Sequence, residues 1–303
     1  MNVLSKGDLK KVLVIVVTYN GIQWIDKCLG SLEESSYPLS MTVIDNGSDD
    51  GTIENIKNNY TNVDLIITDQ NLGFGKANNI GFKKALENNF EYVFLLNQDA
   101  WIEKDTIRTL VRVAERNKEY GIISPMHLNK EGTALDFIFS TYLESRKCPG
   151  LLSDIYLKQS REIYSLYSVN AAAWLVPCAV LKTVGYFDEL FFMYGEDDNF
   201  ADRINYHGYK IGVSPAARIF HDSTRKGGQL MQAKTDYATQ LKRMKRIALN
   251  PNDAITGKYY YLFRKSMSDA LLNLQSGNFG AILINMRILI TGFYYIIRYH
   301  KRY

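Results

Sequence analysis

Polar side chains that can bind a ligand stand at the ends of apolar runs in the first hundred residues. They are Thr18, Tyr19, Asn20, Asp45, Asn97 and Asp99. A carboxylate at the end of a buried strand costs free energy unless it meets a cation, a hydrogen-bond donor or water. If these strands are neighbours in one sheet, the side chains therefore form a polar cleft that binds something.

Some acidic residues in this region also have a structural interpretation. The segment DNGSDDGT, which contains Asp45 and Asp50, is rich in residues that form turns and cap helices. That interpretation suits Asp50 better than Asp45, because Asp45 lies further back in its apolar run. For Asp99 the alternative is a helix N-cap, but Asp105 and Thr106 are better placed for that position.

A second group of acids follows a glycine later in the chain. Glu196, Asp197 and Asp198 begin the helical pattern EDDNFADRINYHG. A carboxylate placed there can act as a general base that removes a proton from a hydroxyl group. The alternative is that the acids cap the helix and complement its dipole. Three consecutive acids exceed what a cap needs, and their mutual repulsion is expected to raise the pKa of one of them.

The segment NLGFGKANN, residues 71–79, predicts a loop that binds a diphosphate. Glycines let the backbone approach a ligand closely, and the free N–H groups at the start of a helix attract anions. Lys76 would add positive charge at this position, and the alternative for it is a solvated surface lysine.

Strands and helices that would position these residues alternate up to residue 124. The strand-like apolar runs are 12–17, 41–45, 64–68, 92–96 and 121–124. Helical periodicity occupies the intervals between them. This alternation predicts an α/β fold with a mostly parallel, Rossmann-like central sheet flanked by helices. Loops at the carboxyl ends of parallel strands meet along one edge of such a sheet, where ligands bind.

The rest of the chain is predicted to contain an insertion, a few further elements and a helical tail. Residues 125–168 show no clear period and are interpreted as an irregular insertion or long loop. The elements predicted after it are a strand over 168–177, a short helix ending at Gly185, a helix from Glu196 to Gly208 and a strand over 209–214. Helical stretches follow at about 229–248, 254–275 and 279–299.

Composition and charge limit the classes of protein to consider. With 46% hydrophobic and 22% charged residues, the 303 residues suit one large domain, or one domain with an appendage, and exclude wholesale disorder. Residues 225–303 carry 14 Lys and Arg against three acids, a net +11, whereas residues 1–224 carry a net −7. A basic tail suggests an anionic partner and a boundary near residue 225. The first apolar run is too short for a signal peptide, so we expect a cytoplasmic protein.

Residues 279–302 predict an amphipathic helix rather than a membrane span. Asn285 and Arg287 interrupt the apolar run near its centre, and a central arginine opposes insertion into a bilayer. The apolar face comprises Ile282, Leu283, Met286, Ile290, Phe293 and Ile297. Such a helix, followed by tyrosines and basic residues, can dock on the anionic inner face of the cell membrane.

The alternative for this helix is packing on its own domain or on the second subunit of a homodimer. Nucleic acid is not expected as a partner, because no recognition motif accompanies the basic charge.

Five segments and a later histidine, taken in order, make this sequence similar to a known family, which no single motif would do. They are VVTYNG, VIDNGSDDGT, NLGFGKANNIG, LLNQDA, GYFDELFFMYGEDDNF and a later His221. This series resembles the family 2 glycosyltransferases, and most of all their rhamnosyltransferase-like branch, over roughly residues 11–224. The resemblance implies the GT-A fold, here with a helical C-terminal extension, and transfer of a sugar with inversion.

The resemblance also implies a role for each matching residue. Donor binding would involve Thr18, Tyr19, Asn20, Asp45, Asn71, Gly73, Lys76, Asn78, Asn97 and Asp99. Asp99 matches the last acid of the family's D-x-D motif and, with His221, would hold Mg²⁺ or Mn²⁺ against the diphosphate. This chain reads Asn97-Gln98-Asp99, so two acids that the motif can supply are missing. Asp197 would be the catalytic base, and Glu196 its supporting neighbour.

These roles imply the organisation and function of the chain. Residues 1–224 would form the catalytic domain, with a nucleotide-sugar half at about 11–124 and an acceptor half at about 165–224, and residues 225–303 a basic helical region. The donor would be a dTDP-rhamnose-like or UDP-linked sugar. The acceptor would be a glycan or a lipid-linked glycan in polysaccharide biosynthesis.

Two other functions are compatible with an α/β core. A sugar-nucleotide nucleotidyltransferase would begin with a GxGTRL-type segment, which VVTYNGIQW lacks. A non-catalytic domain that binds nucleotide sugars or glycans would not need the Glu196-Asp197 pair.

Overall fold

A mixed β-sheet forms the centre of the first of two compact units, Met1–Ser223 and Thr224–Tyr303. The computed structural model describes residues 9–223, 237–275, 279–299 and 302. Within these residues the strands are β1 (Val12–Thr18), β2 (Ser40–Asp45), β3 (Val63–Ile67), β4 (Tyr92–Asn97), β5 (Ala100–Ile102), β6 (Tyr120–Asn129), β7 (Tyr164–Leu166), β8 (Ala173–Pro177) and β9 (Lys210–His221). They lie in the order β3-β2-β1-β4-β8-β6-β9-β5, and β7 pairs with β9.

The position of β1 inside the sheet explains the unbroken apolar run VLVIVV. It pairs in parallel with β2 on one side and with β4 on the other. Leu13 and Ile15 belong to the core on one face, whereas Val12, Val14 and Val16 belong to the core on the opposite face. A strand that is covered on both faces is apolar at every position, so no alternation with polar residues is seen.

Helices cover both faces of this sheet. Those of the first unit are α1 (Ile22–Glu33), α2 (Thr52–Asn59), α3 (Phe74–Glu87), α4 (Thr106–Arg116), α5 (Phe137–Ser140), α6 (Leu151–Tyr156), α7 (Cys178–Val184) and α8 (Glu196–Tyr206). Side chains of α3, α7 and α8 fill one core, and side chains of α1, α2 and α4 fill the other. The predicted α/β fold with a flanked central sheet is confirmed. The antiparallel strands β5, β7 and β8 make the sheet mixed.

The interpretation of residues 125–168 as an irregular insertion is wrong in part. β6 continues to Asn129, and α5, α6 and β7 also lie in this segment. β6 pairs in parallel with β9, which likewise runs past its predicted end to His221. The register between these strands shifts at Pro125, which has no N–H for the ladder. The proline therefore interrupts the sequence pattern without ending the strand.

Three helices are described in the second unit, and they share a small core of their own. They are α9 (Tyr237–Leu249), α10 (Ile255–Gln275) and α11 (Phe279–Tyr299). Their core consists of Met244, Ala248, Leu262, Ile288 and Ile296. The predicted start of α9 near residue 229 and the predicted boundary at 224/225 lie outside the described residues.

Helix α11 is apolar on two faces. Ile288 and Ile296 are buried in the core of the unit, and Phe293 packs against it. On the other face Leu283, Ile290 and Ile297 expose 70%, 66% and 65% of their surface. The side chain of Ile282, which the sequence places on this face, lies outside the described residues. Among the helices described here, none has the length and apolar character to cross a membrane.

Candidate active site

The structure brings the polar ends of β1, β2 and β4 together at one edge of the sheet. Thr18 pairs with Asp45 in the register of β1 and β2, and Val17 pairs with Asn97 in the register of β1 and β4. All three strands are parallel, so their carboxyl ends meet, as the sequence pattern implies. The residues that follow each strand are then held by hydrogen bonds that cross from one loop to the next.

The carboxylate of Asp45 is fully buried and organises the loop that follows β2. Oδ1 accepts the N–H groups of Gly47 and Ser48 at 3.0 and 2.7 Å. Oδ2 accepts the hydroxyls of Thr18 and Ser48 at 2.7 and 2.6 Å. Four internal donors fill both oxygens, which matches the turn-forming alternative. Asp45 therefore fixes the turn after β2, and its assignment to donor binding stays a prediction.

Asp50 caps helix starts on both sides of this loop. It accepts the N–H of Ile22 at 3.0 Å, where α1 begins, and the N–H of Thr52 at 3.1 Å, where α2 begins. Burial opposes ionisation of Asp50, but these hydrogen bonds outweigh it and lower the pKa of the carboxyl group. The structural interpretation of Asp50 is therefore correct. Asn20 joins the same network, since its Oδ1 accepts the N–H of Asp49 at 3.0 Å.

Gln98 clamps the end of β1, a contact that the sequence did not reveal. Its Oε1 accepts the N–H of Tyr19 at 2.9 Å, and its Nε2 donates to the carbonyl of Tyr19 at 3.2 Å. Gln98 stands in the Asn97-Gln98-Asp99 segment at a position where an acid could occur. Its amide instead holds the backbone of Tyr19. The ring of Tyr19 remains half exposed and can present its face to a ligand.

The loop before α3 makes a backbone contact with the segment before α8. Gly73 has a φ of 80°, and a Cβ atom there would lie 1.9 Å from the carbonyl oxygen of Phe192. A Cβ atom on Gly75 would lie 3.5 Å from the side chain of Glu196. The N–H of Gly73 donates to Asn71 Oδ1 at 2.8 Å, which holds the loop in shape. The predicted diphosphate loop and the predicted catalytic acids are therefore neighbours.

The two asparagines that follow this loop have different surroundings. Asn78, which the resemblance assigns to donor binding, is buried, and its amide donates to the carbonyl of Phe74 in its own helix at 2.9 Å. The assignment of Asn78 to donor binding stays a prediction. Asn79 makes two 2.9 Å hydrogen bonds with the backbone of Phe187 and ties α3 to the chain before α8. Lys76 forms a surface ion pair with Glu189 at 3.9 Å.

The first turn of α8 carries the three consecutive acids. Glu196 is buried, whereas Asp197 and Asp198 are partly exposed. Asp197 Oδ1 accepts the N–H of Asp198 at 2.8 Å. Arg203, one further turn along, is buried and donates to the carbonyls of Val184 and Tyr186 at 2.7 and 2.5 Å. A rigid anchor thus holds the helix that presents the acids.

Asp99 and His221 meet because β5 pairs antiparallel with β9. This short strand places Ala100 opposite His221, and Asp99 Oδ1 then lies 3.4 Å from His221 Nε2. The other ring nitrogen, Nδ1, lies 3.5 Å from Oδ2 of the buried Asp136. Burial opposes protonation of His221, but the carboxylates of Asp136 and Asp99 outweigh it and raise the pKa of the imidazole to about 9.

The donor set formed by Asp99 and His221 fits a divalent cation that also binds a diphosphate. Neighbouring ligands of a six-coordinate Mg²⁺, each at about 2.1 Å, lie about 3 Å apart, close to the separation seen here. Within the described residues, no three His, Cys, Asp or Glu side chains converge to hold a metal. The remaining ligands would therefore be phosphate and water oxygens, which Mg²⁺ commonly retains.

Comparison with known proteins places this arrangement among glycosyltransferases. Residues 13–167 match the family model described as glycosyl transferase family 2. An N-acetylglucosaminyl-diphospho-decaprenol L-rhamnosyltransferase of Mycobacterium tuberculosis is 27% identical over 71% of this chain and 77% of that protein. The dTDP-rhamnosyl transferase RfbF of Shigella flexneri is 22% identical over 96% of this chain and 92% of its own.

A solved structure shares the fold. The crystal structure of S. aureus TarS 1-349 in complex with UDP-GlcNAc has a TM-score of 0.57 at 18% identity, and the match covers 96% of this chain and 89% of that one.

The contact between Gly73 and Phe192 can be tested with a matched pair of glycines. Gly51 also has a left-handed φ, of 93°, but a Cβ atom there would meet nothing within 4 Å. We expect Gly51→Ala to cost about 1–2 kcal/mol of unfolding free energy from conformation alone. Gly73→Ala should cost about 1–3 kcal/mol more, because the added atom collides with backbone and because a ψ of 171° puts Gly73 in a region that only glycine readily adopts.

Chemical denaturation measures both losses, and hydrogen exchange in residues 187–198 reports whether the segment before α8 is displaced. Equal losses with unchanged exchange would contradict the contact.

Proposed function

This chain belongs to glycosyl transferase family 2, and from that premise we propose that it transfers a sugar from a nucleotide-diphosphate sugar, with inversion, to a glycan or lipid-linked glycan in polysaccharide biosynthesis. The names of the relatives support a dTDP-rhamnose-like donor, and the TarS complex with UDP-GlcNAc supports a UDP-linked sugar as the other candidate. Family membership favours transfer over the nucleotidyltransferase and the non-catalytic binding domain.

The observation that carries this proposal is the contact between the diphosphate loop and the acids of α8. A Cβ atom on Gly73 would collide with the carbonyl of Phe192, and one on Gly75 would lie 3.2 Å from Phe187 and 3.5 Å from Glu196. A sugar attached to a diphosphate held at the start of α3 would therefore lie near the first turn of α8. A carboxylate there would be within reach of an acceptor hydroxyl that attacks the anomeric carbon, which supports a single displacement.

Asp197 is proposed as the base of that displacement, and Glu196 as its support. As the acceptor hydroxyl oxygen bonds to the anomeric carbon, its proton passes to the Asp197 carboxylate. The bond from the anomeric carbon to the diphosphate oxygen breaks, and the nucleoside diphosphate leaves with the electron pair. Attack from the face opposite the leaving group inverts the configuration.

The donor would be held along the edge of the sheet. Thr18, Tyr19, Asn20 and Asn97 are proposed to form the wall against the nucleoside, with Asp45 fixing the loop behind it. The backbone of the loop at Asn71 and Gly73 would face the diphosphate, because free N–H groups at a helix start favour anions.

Asp99 and His221 are proposed to hold Mg²⁺ or Mn²⁺ at the diphosphate. A bound cation would neutralise the negative charge that builds on the leaving group. The buried position of His221 and the strand pairing beneath Asp99 fix both ligands before the donor arrives.

The proposed base is tested by Asp197→Asn, with Asp198→Asn as the matched control. Both variants remove one negative charge from the same helical turn, but only the first removes the base. We expect Asp197→Asn to lower the rate of transfer by about 10²–10⁴ while the nucleotide affinity changes by only a few-fold.

The measurement is nucleotide release over a panel of nucleotide sugars with glycan acceptors, and the same panel identifies the donor. Turnover of Asp197→Asn close to that of the unchanged chain would remove the assignment. Release from no sugar in the panel would count against transfer itself.

The cation is tested by chelation and by Asp99→Ala. EDTA should suppress activity, and Mg²⁺ or Mn²⁺ should restore it. Asp99→Ala should weaken binding of the nucleoside diphosphate more than binding of the nucleoside monophosphate, because the cation acts on the diphosphate. Asp105→Ala, which removes an exposed acid just beyond β5, is the control and should change neither affinity. If activity survives exhaustive EDTA treatment, fixed charges and helix dipoles neutralise the leaving group instead.

We also propose that residues 279–302 dock on an anionic membrane surface, at the inner face of the cell membrane. Arg287 and Arg298 lie on α11 with the exposed Leu283, Ile290 and Ile297. Apolar side chains beside basic ones can enter the headgroup region while the charges meet anionic lipid. The buried face of α11 is already occupied by its own unit, so the exposed face is the one available for docking.

Vesicle binding can test the apolar and the electrostatic contributions of this surface separately. Ile290→Asp should weaken binding to anionic vesicles about tenfold or more, since it replaces an exposed apolar side chain that would enter the headgroup region. Arg287→Gln should weaken it about fivefold at low salt and less at high salt, where charges are screened. Leu152→Asp changes a leucine on α6 that exposes 54% of its surface, and it serves as the control.

Thermal melts should show all three variants folded, since each residue is exposed. The contrary result is an intact chain that does not bind anionic vesicles and sediments as a dimer, which Ile290→Asp dissociates. The exposed face would then be a subunit interface, and the membrane proposal would be wrong.

A further inference from the structure

We propose that Asp136 is a positioning residue, which holds the ring of His221 so that Nε2 faces the cation shared with Asp99. The inference rests on the proposed function, because it concerns the cation of that site. Asp136 lies in the segment between β6 and α5, where the sequence shows no period and no motif. It does not touch the donor or the cation, and it acts only through His221.

The ring of His221 lies between two carboxylates, one on each nitrogen. Asp99 Oδ1 is 3.4 Å from Nε2, and Asp136 Oδ2 is 3.5 Å from Nδ1. Only one of these carboxylates can reach solvent, since 26% of the Asp99 side chain is exposed and 1% of the Asp136 side chain is. The exposed side is where a cation and a diphosphate would enter, so Asp136 occupies the closed side of the imidazole.

The carboxylate of Asp136 is fixed by contacts other than the one with His221. Its Oδ1 accepts the N–H of Phe139 at 2.8 Å as the N-cap of α5. Its Oδ2 accepts the hydroxyl of Ser223 at 2.5 Å. Its backbone N–H donates to the carbonyl of His127 at 2.9 Å. The carboxylate therefore cannot turn away from the imidazole without breaking its bonds to Phe139 and Ser223, and the backbone bond holds the residue in place.

A carboxylate in this position decides which ring nitrogen binds the metal. An ionised carboxylate can only accept hydrogen bonds, so the imidazole nitrogen that faces it must carry the hydrogen. The same rule gives Nε2 a hydrogen toward Asp99 while no cation is bound. A cation that enters from the exposed Asp99 side would displace that hydrogen, whereas Nδ1 keeps its own toward the buried Asp136. The 3.5 Å separation exceeds a normal hydrogen bond, and a ring shift of about 0.5 Å toward Asp136 closes it.

Two aromatic side chains, His127 and Phe139, lie behind His221 and limit other motions of its ring. His127, which is buried, lies edge to face with His221 at 6.3 Å between ring centroids. His127 in turn stacks on Phe139 at 4.1 Å. Phe139 also donates the capping N–H to Asp136, so the same residue braces both the carboxylate and the histidine neighbour.

The test measures Mn²⁺ bound to the full chain by electron paramagnetic resonance, without any sugar donor. Titration gives the affinity, and pulsed spectra detect coupling to a directly bound ¹⁴N. The unchanged chain should show this coupling, and His221→Gln should remove it. Asp136→Asn should weaken Mn²⁺ about 10–100-fold and reduce the coupling, because an amide N–H at Nδ1 turns the ring hydrogen to Nε2.

Two further variants separate positioning from simple charge or stability effects. Asp222→Asn removes an equal charge one residue from His221, but Asp222 pairs with Trp24 and Lys130 rather than with the imidazole. It should leave the ¹⁴N coupling intact. Ser223→Ala removes the hydroxyl that donates to Asp136. Its Mn²⁺ affinity and ¹⁴N coupling should lie between those of the unchanged chain and those of Asp136→Asn.

Full ¹⁴N coupling and unchanged affinity in Asp136→Asn would overturn the proposal, and so would equal losses in Asp222→Asn. Absence of ¹⁴N coupling in the unchanged chain would also overturn it, because His221 would then not be a ligand. Neither the Mn²⁺ affinity nor the ¹⁴N coupling depends on sugar transfer. Failure of the nucleotide-sugar panel would therefore be a separate result.

Discussion

The pairing of β9 with strands on both sides is the interaction on which the proposed cation site depends. β9 runs in parallel with β6 as far as Asn129 opposite His221, and antiparallel with β5 at Ala100. The ladder fixes the position of His221. Asp99 directly precedes β5, and the backbone N–H of Asp136 donates to His127 of β6, so both acids are held close to these strands. Shortening β9 by a few residues would leave each acid of this group without its histidine.

In the proposed nucleotide site, hydrogen bonds between neighbouring loops hold the ends of the strands in place. Asp45 satisfies four donors from the strands and turn around it, and Gln98 holds the backbone of Tyr19 from the neighbouring strand. Buried polar groups that are fully bonded to one another hold a single arrangement. The edge of the sheet therefore has its shape before a ligand arrives, so binding need not order it.

The α/β class, the strands of the first half and the helix that begins at Glu196 could be predicted, because each follows a long and regular pattern. β5 could not, since three residues are too few for a period, and the extension of β6 was hidden by Pro125. Asp136 stands in a segment without periodicity, and only the fold brings it to His221. Asn78 and Asn79 are adjacent in one motif, and which of them faces its own helix depends on packing that the motif does not encode.

The meeting of Gly73 and the carbonyl of Phe192 limits which substitutions this part of the chain can accept. A Cβ atom at position 73 would meet the carbonyl carbon and oxygen of Phe192, and also the edge of its ring. Backbone atoms cannot move aside as the end of a flexible side chain can. We therefore expect position 73 to require glycine, whereas the exposed side chains of Phe192 and Met193 leave space for other residues.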